Sequence, residues 1–334
     1  DLELVEPQVA MGERLGEVAP FGEAAMTFIC QSGTEAVEGA LKLARYVSGR
    51  PRFLGFIGGF HGRTMGSLSF TSSKYTQQKG YFPTMPGVTH VPYPNPLRPL
   101  LAGADQGRAV LDYIEHVLFQ GPVPASEVAA VLVEPIQGEG GIRAMPDACL
   151  KGLRDMCDET GCLMILDEVQ CGMGRTGFPF AASMHGIAPD MLTTAKALGA
   201  GFPCAALLMA DHVAAHLKTD DLGTTFGGGP MACALIEAVV DIIESQGLLA
   251  NVRSLAQRIR ETCVIGPVVA TQGAGFLLGL RTSRPAKDVQ RELLERDILT
   301  GTSADPYVVR ILAPYVLESS HVDQLRDALS SLSG

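Results

Sequence analysis

Lys196 and Asp167 are the residues on which chemistry could be built. The apolar run Leu163-Met164-Ile165-Leu166 ends in Asp167-Glu168-Val169-Gln170, as a buried parallel strand does where it reaches the edge of a sheet. Met191-Leu192-Thr193-Thr194 reads as a second short strand, and Lys196 follows it between alanines that leave room around the amine. Ligands of open α/β sheets sit at such carboxyl ends. An acid to hold a protonated ring nitrogen and a lysine to form a Schiff base are what a pyridoxal phosphate site requires.

Three further segments have residue types that suit such a site. Ser32-Gly33-Thr34-Glu35-Ala36 stands at the start of a helix, where free N–H groups and the helix dipole favour a phosphate. A plain capping box explains the same residues and, taken alone, is the better reading. Phe60-His61-Gly62-Arg63-Thr64 follows a strand, so Phe60 can lie against a planar ring and Arg63 can fork onto a carboxylate. The bland alternative is a core phenylalanine and a solvated arginine. His61 is given no catalytic role, because a lone histidine is more often structural. Glu134 to Gly141 closes another strand with glycines that permit a tight turn. Its two carboxylates could suggest glycoside hydrolysis, but the chain has no tryptophan and only 6% aromatic residues to line a sugar groove.

These residues need an α/β scaffold. Strand and helix signals alternate along the 334 residues, which predicts a mostly parallel central sheet flanked by helices. A helix is expected over 34–47, strands over 53–57, 129–133 and 205–209, and a helix over 147–160 stopped by Gly161. A helical pattern covers 109–119, while the proline- and glycine-rich stretch 83–108 reads as a long surface loop. A long helix over 230–246 then leads to a change of pattern, so residues 1–245 are expected to form a large domain and 246–334 a small α+β one. The small domain should hold a strand over 276–280, a helix over 286–296, two short strands and a last helix from about Ser320.

Composition excludes several classes. Apolar residues at 46% and charged ones at 19% describe an ordinary globular protein. A net charge of −10 argues against nucleic acid or an anionic membrane as partner, and no apolar run approaches the roughly 20 residues of a spanning helix. The eight scattered cysteines read as reduced, buried thiols of a cytoplasmic protein. Gly273-Ala274-Gly275 lacks the following helix of a dinucleotide loop. His212 and His216 read as an exposed helix face with no third metal ligand, so no metal site is expected. The chain opens at Asp1 in what reads as the middle of a fold, so a preceding segment is expected.

At these residues the sequence resembles class III (ornithine-type) aminotransferases of the pyridoxal phosphate fold type I superfamily. The likeness rests on Ser32 to Glu38, Phe60 to Thr64, Glu134 to Gly141, Leu166 to Gly177, Thr193 to Pro203 and Gly223 to Gly228, in the family's order over nearly the whole chain. The ending Gly301 to Pro314 is most similar to the acetylornithine branch, and Pro92-Tyr93-Pro94 also resembles 4-aminobutyrate aminotransferases.

The resemblance implies pyridoxal 5'-phosphate as cofactor. It makes Lys196 the Schiff-base lysine and proton shuttle, and Asp167 the partner of the pyridine nitrogen. Gln170 would bond the phenolic oxygen, and Val169 and Phe60 would hold the ring, with His61 beside them. Ser32, Gly33 and Thr34 would bind the phosphate, and Thr225 would reach the phosphate of a neighbouring subunit, which implies a homodimer with shared sites. Arg310 would take the α-carboxylate of glutamate and Arg63 its second carboxylate. Glu139 would pair with Arg310 while the other substrate is bound. The implied reaction moves an amino group from N2-acetylornithine, or a related ω-amino substrate such as 4-aminobutyrate, to 2-oxoglutarate. A racemase on the same fold and an inactive scaffold are the remaining alternatives. Gly228-Gly229-Pro230 stands where the family more often has Gly-Asn-Pro.

Overall fold

The computed structural model describes residues 6–22, 25–96 and 98–333; Asp1 lies outside them. Its strands, in chain order, are β1 (Met26–Cys30), β2 (Arg52–Phe56), β3 (Val88–Val91), β4 (Val128–Val133), β5 (Ile136–Gln137), β6 (Arg143–Ala144), β7 (Leu163–Asp167), β8 (Met191–Thr194), β9 (Ala205–Met209), β10 (Val268–Ala274), β11 (Leu277–Thr282), β12 (Gly301–Thr302) and β13 (Val308–Ile311). The main sheet has the order β1-β9-β8-β7-β4-β2-β3. Strands β8, β7, β4, β2 and β3 run parallel, and β9 pairs antiparallel with both β8 and β1. The expected mostly parallel sheet is therefore borne out.

The central strands are apolar throughout because both of their faces are covered. Met164 and Leu166 of β7 join Leu150 and Leu153 of the helix Asp147–Thr160 in one layer. Ile165, between them, joins Leu41 and Ala44 of the helix Gly33–Ser48 in the other. Gly161 stops the first of these helices in the left-handed conformation, at φ 70°.

A second, antiparallel sheet of order β10-β11-β13-β12 has its own core. Phe276, Leu280 and Val309 pack there with Val252, Leu293 and Leu325 from the helices Leu248–Thr262, Ala286–Leu294 and Ser319–Ser330. A chain of this size gains more by closing two cores than by enlarging one.

Three expectations need correction. The stretch 83–108 is not one surface loop, since β3 pairs parallel with β2 and Tyr93 is buried, its hydroxyl donating to the carbonyls of Glu134, Pro135 and Arg143. Prolines and glycines around a four-residue strand masked its signal. The helix carrying His212 ends at Ala214, before His216, and His212 instead places Nε2 2.8 Å from Asp190. The helix Glu6–Val18 and the strands β1 and β10 were not anticipated: β1 begins exposed, and β10 is exposed or half-buried beyond Val268, so neither shows a clean apolar period.

Ile165 is fully buried under the helix Gly33–Ser48. Truncating it to alanine should cost about 2–5 kcal/mol through lost burial and the cavity left behind. A urea-unfolding midpoint equal to that of the parent chain would contradict this packing.

Candidate active site

The carboxyl ends of β2, β4, β7 and β8 open on a cavity of about 510 Å³ that the start of the helix Gly33–Ser48 also lines. Ser32, Gly33, Thr34, Phe60, His61, Arg63, Glu139, Asp167, Val169, Gln170 and Lys196 all border it, so residues far apart in the chain meet as expected. Thr225 does not border it: this threonine is exposed, in a loop whose Phe226 carbonyl accepts from the Gln31 side chain. Arg310 lies one step behind the wall and reaches the cavity through Glu139.

Asp167 is the fixed point. Its Oδ1 accepts from the Val169 backbone at 3.0 Å and from the Thr193 hydroxyl at 3.1 Å. Its Oδ2 lies 2.7 Å from Nδ1 of the buried His61. Burial disfavours the charged imidazole, yet the hydrogen bond to Asp167, with the negative charges of Asp167 and Glu134, holds the His61 pKa above its ordinary value. Thr193 stands beside Asp167 because β7 and β8 pair these two residues.

Glu168 serves a different purpose. It points away from the cavity and accepts from the backbones of Ala181 and Ala182, at 2.5 and 2.7 Å, at the start of the helix Ala181–His185. Burial pushes its pKa up to about 7.

Lys196 follows β8 with a left-handed backbone, φ 49°, unusual for a residue with a side chain. Its surface is exposed to the cavity, yet protein atoms crowd the amine, and this burial lowers its pKa against the raising influence of Asp167, Glu134 and Glu139. An amine brought toward neutrality is a better nucleophile and base.

At the helix start the structure shows the cap, without the reciprocal bond of a full capping box. Ser32 is the N-cap, its Oγ accepting from the Glu35 backbone at 3.5 Å, while Glu35 accepts from the Gln31 backbone at 2.9 Å. The first-turn N–H groups beyond the cap have no partner within a helix. Gly33 is needed there because a Cβ would lie 3.0 Å from both Val169 methyl groups. The Thr34 hydroxyl bonds Ser67 at 2.7 Å and Thr64 at 2.8 Å.

Arg63 is exposed at the cavity rim, its guanidinium 6.0 Å from the Phe60 ring centroid. Glu139 Oε1 accepts from Arg310 Nη1 at 2.5 Å, and its Oε2 lies 3.3 Å from Lys74 Nζ. Burial works against the charged carboxylate, but the two cations outweigh it and leave the Glu139 pKa below the ordinary range. Gly138 lets this loop pass Gln170, since a Cβ there would fall 1.2 Å from the Gln170 Oε1.

Residue reasoning missed Glu134, Thr193 and Lys74 as parts of this site. Glu134 borders the cavity and accepts from the backbones of Phe60 at 2.8 Å and Gly138 at 3.1 Å, tying two of the recognised segments together. Pairing β7 with β8 in register would have pointed to Thr193. Nothing in the local sequence marks Lys74.

Comparison with known proteins places these features in context. The class-III aminotransferase family matches residues 3–332. The acetylornithine aminotransferase of Streptomyces coelicolor is 39% identical over 337 residues, covering 99% of this chain and 77% of the relative. That of Methanocaldococcus jannaschii is 36% identical over 343 residues, covering 98% of this chain and 78% of the relative. Among solved structures, an amine transaminase from an uncultivated Pseudomonas species in its PLP-bound form superposes with a TM-score of 0.90 at 26% identity, covering 99% of this chain and 81% of that one. A Bacillus anthracis aminotransferase does so with a TM-score of 0.88 at 25% identity, covering 98% and 80%.

The residues present fit pyridoxal 5'-phosphate, the cofactor of that family. Gln170 Oε1 and His61 Nε2 are buried and without a partner among the described residues. The first awaits a ligand at the cavity wall, and a flip of the amide presents its N–H groups instead. The buried acid, the crowded lysine and the helix start are groups complementary to a ring nitrogen, an aldehyde and a phosphate.

Burial raises the Glu134 pKa to about 7. A carboxyl raised by folding stabilises the native state fully below its unfolded value of about 4.3, and that contribution is lost as pH rises through the folded value. The cofactor-free chain should therefore lose thermal stability relative to Glu134→Gln as pH rises from about 4.3 to about 7. A melting-temperature difference that stays constant over this range would contradict the assignment.

Proposed function

The chain belongs to the class-III aminotransferases, and from that premise we propose that it moves an amino group from N2-acetylornithine to 2-oxoglutarate, giving glutamate and a semialdehyde. The observation that carries the substrate is the identity of 36–39%, over 98–99% of the chain, to relatives named acetylornithine aminotransferase. Such a reaction belongs to arginine biosynthesis. The 4-aminobutyrate alternative leans on Pro92-Tyr93-Pro94, but Tyr93 is buried against backbone carbonyls and does not border the cavity.

When bound, pyridoxal 5'-phosphate supplies an electron sink that stabilises negative charge at the substrate carbon bearing the transferred amino group, the terminal carbon of the ω-amino donor and Cα of glutamate. Asp167, held in place by its three donors, would pair with the ring nitrogen. Gln170 would bond the phenolic oxygen, and Phe60 and Val169 would flank the ring. Ser32, Gly33 and Thr34 hold the phosphate at the helix start. Lys196, its pKa lowered by burial, would take the proton from the amine-bearing carbon of the donor and, in the second half-reaction, deliver one to Cα of the forming glutamate.

Substrate selection falls to Arg63, Glu139 and Arg310. The Glu139–Arg310 ion pair closes the site to an α-carboxylate while the ω-amino substrate is bound, and opens for the dicarboxylate. Thr225, exposed and away from this chain's own cavity, suits the phosphate of a second copy of this chain, which supports a homodimer with shared sites. Residues 1–245 form the cofactor-binding domain in this reading and 246–334 the small one. A cytoplasmic location agrees with eight buried free cysteines. No helix among the described residues is long and apolar enough to cross a membrane.

Turnover with 2-oxoglutarate should be faster for N2-acetylornithine than for 4-aminobutyrate; the reverse order would overturn the substrate. Lys196→Ala should lower turnover by about 10²- to 10⁴-fold or more. Arg310→Ala should weaken 2-oxoglutarate by about 2–5 kcal/mol and the amino donor far less. Equal losses for both half-reactions would refute the ion-pair switch.

A further inference from the structure

The switch requires a carboxylate to be abandoned. When a dicarboxylate takes Arg310, Glu139 loses its closest cation while still half-buried, and an unpaired charge in that setting is costly. The structure already contains a second cation for it. Arg310 Nη1 and Lys74 Nζ take different oxygens of Glu139, at 2.5 and 3.3 Å, so removing the arginine leaves the lysine contact in place.

The lysine is built into this position. The backbones of Ser72 and Ser73 donate to the Gly59 carbonyl at 2.8 and 3.0 Å, fixing the segment to the turn that presents Phe60 and His61. The Lys74 backbone donates to Gln77 Oε1 at 3.1 Å, and the Ser73 hydroxyl does so at 2.8 Å. On the other side, the Glu139 carbonyl accepts from the Ala304 backbone at 2.9 Å, so its main chain is held while its side chain faces two cations. Arg310 keeps a spare donor: its Nε is buried and has no partner among the described residues.

We propose that Lys74 is a positioning residue for dual specificity, retaining the Glu139 carboxylate when Arg310 turns to a dicarboxylate. It acts through Glu139 and does not border the cavity. By sharing the negative charge it also loosens the hold of Glu139 on Arg310 in the closed pair. The amino-donor half-reaction needs the pair closed, so it gains nothing from Lys74; the 2-oxoglutarate half-reaction needs the pair open and does. The inference rests on the Glu139–Arg310 reading given above.

The test follows the two half-reactions separately in the holoenzyme and measures glutarate, a dicarboxylate without the reactive ketone, by calorimetry. Lys74→Met should weaken 2-oxoglutarate and glutarate by about two- to fivefold and leave the amino-donor half-reaction unchanged. Lys74→Arg should restore dicarboxylate binding. In a Glu139→Gln background, Lys74→Met should have no further effect, because the charge it neutralises is gone. Equal losses on both half-reactions, unchanged glutarate binding, or an effect that persists without the Glu139 charge would each overturn the role of Lys74. Arg310→Ala, run alongside, separates the readings. If it weakens 2-oxoglutarate selectively while Lys74→Met does nothing, only the lysine's role falls. If it affects both substrates equally, the switch itself falls.

Discussion

A carboxylate buried at the end of a parallel strand is the constraint from which the rest of this site follows. Asp167 is only 4% exposed, and a charge so placed is tolerable only if its oxygens are well satisfied. Its donors come from three parts of the chain: Thr193 on β8, the backbone of Val169, and His61 beyond β2. The pairing of β7 with β8, and the place of β2 across β4, are thus fixed by chemistry as well as by hydrophobic packing. A one-residue slip of β7 would turn Asp167 toward the opposite face and leave all three donors without their acceptor.

Charge is distributed unevenly around that acid. Glu134 and Glu168 are buried and take only neutral donors (backbone N–H groups, and for Glu168 the Cys171 thiol), and burial lifts both toward about 7. Asp167 and Glu139 instead face groups that can bear positive charge, His61 in one case and Arg310 with Lys74 in the other. The two carboxylates that the proposed reaction needs ionised are those with cationic partners. The other two organise backbone, joining the Phe60 turn to the Gly138 turn and starting the helix Ala181–His185.

Much of this arrangement was legible in the residues. The run Leu163 to Leu166 followed by acid, and the isolated lysine after Met191 to Thr194, carry their message locally because a strand buried on both faces tolerates polarity only at its end. The strand β3 was hidden because Val88 to Val91 is short and set among prolines and glycines, and only its pairing with β2 makes it a strand. The Ser32 cap and the proposed phosphate site looked like rival readings, yet the cap engages the Glu35 N–H and the proposal uses those of Gly33 and Thr34. Thr193 and Lys74 could not be found from local pattern at all. One is placed by strand register, the other by a contact between residues 65 positions apart.

Of the proposed site residues, Arg310 alone comes from the small sheet. Asp167, Lys196 and Gln170 sit on or next to strands of the large sheet, where both layers of packing hold them. Arg310 lies on β13 of the small sheet, between β11 and β12, and it meets Glu139 in the turn between β5 and β6. The Ala304–Glu139 backbone bond and the side-chain contact of Gln272 with the Gly141 carbonyl join the same two regions. A site that must accept an ω-amino substrate and then a dicarboxylate needs one rigid part and one ion pair that can be re-formed. In the proposed switch, a pair placed away from β7 and β8 would let Arg310 change partner without disturbing the donors of Asp167. A similar pair within the main sheet would share its packing with Asp167, and every exchange of substrate would strain the acid on which the ring chemistry depends.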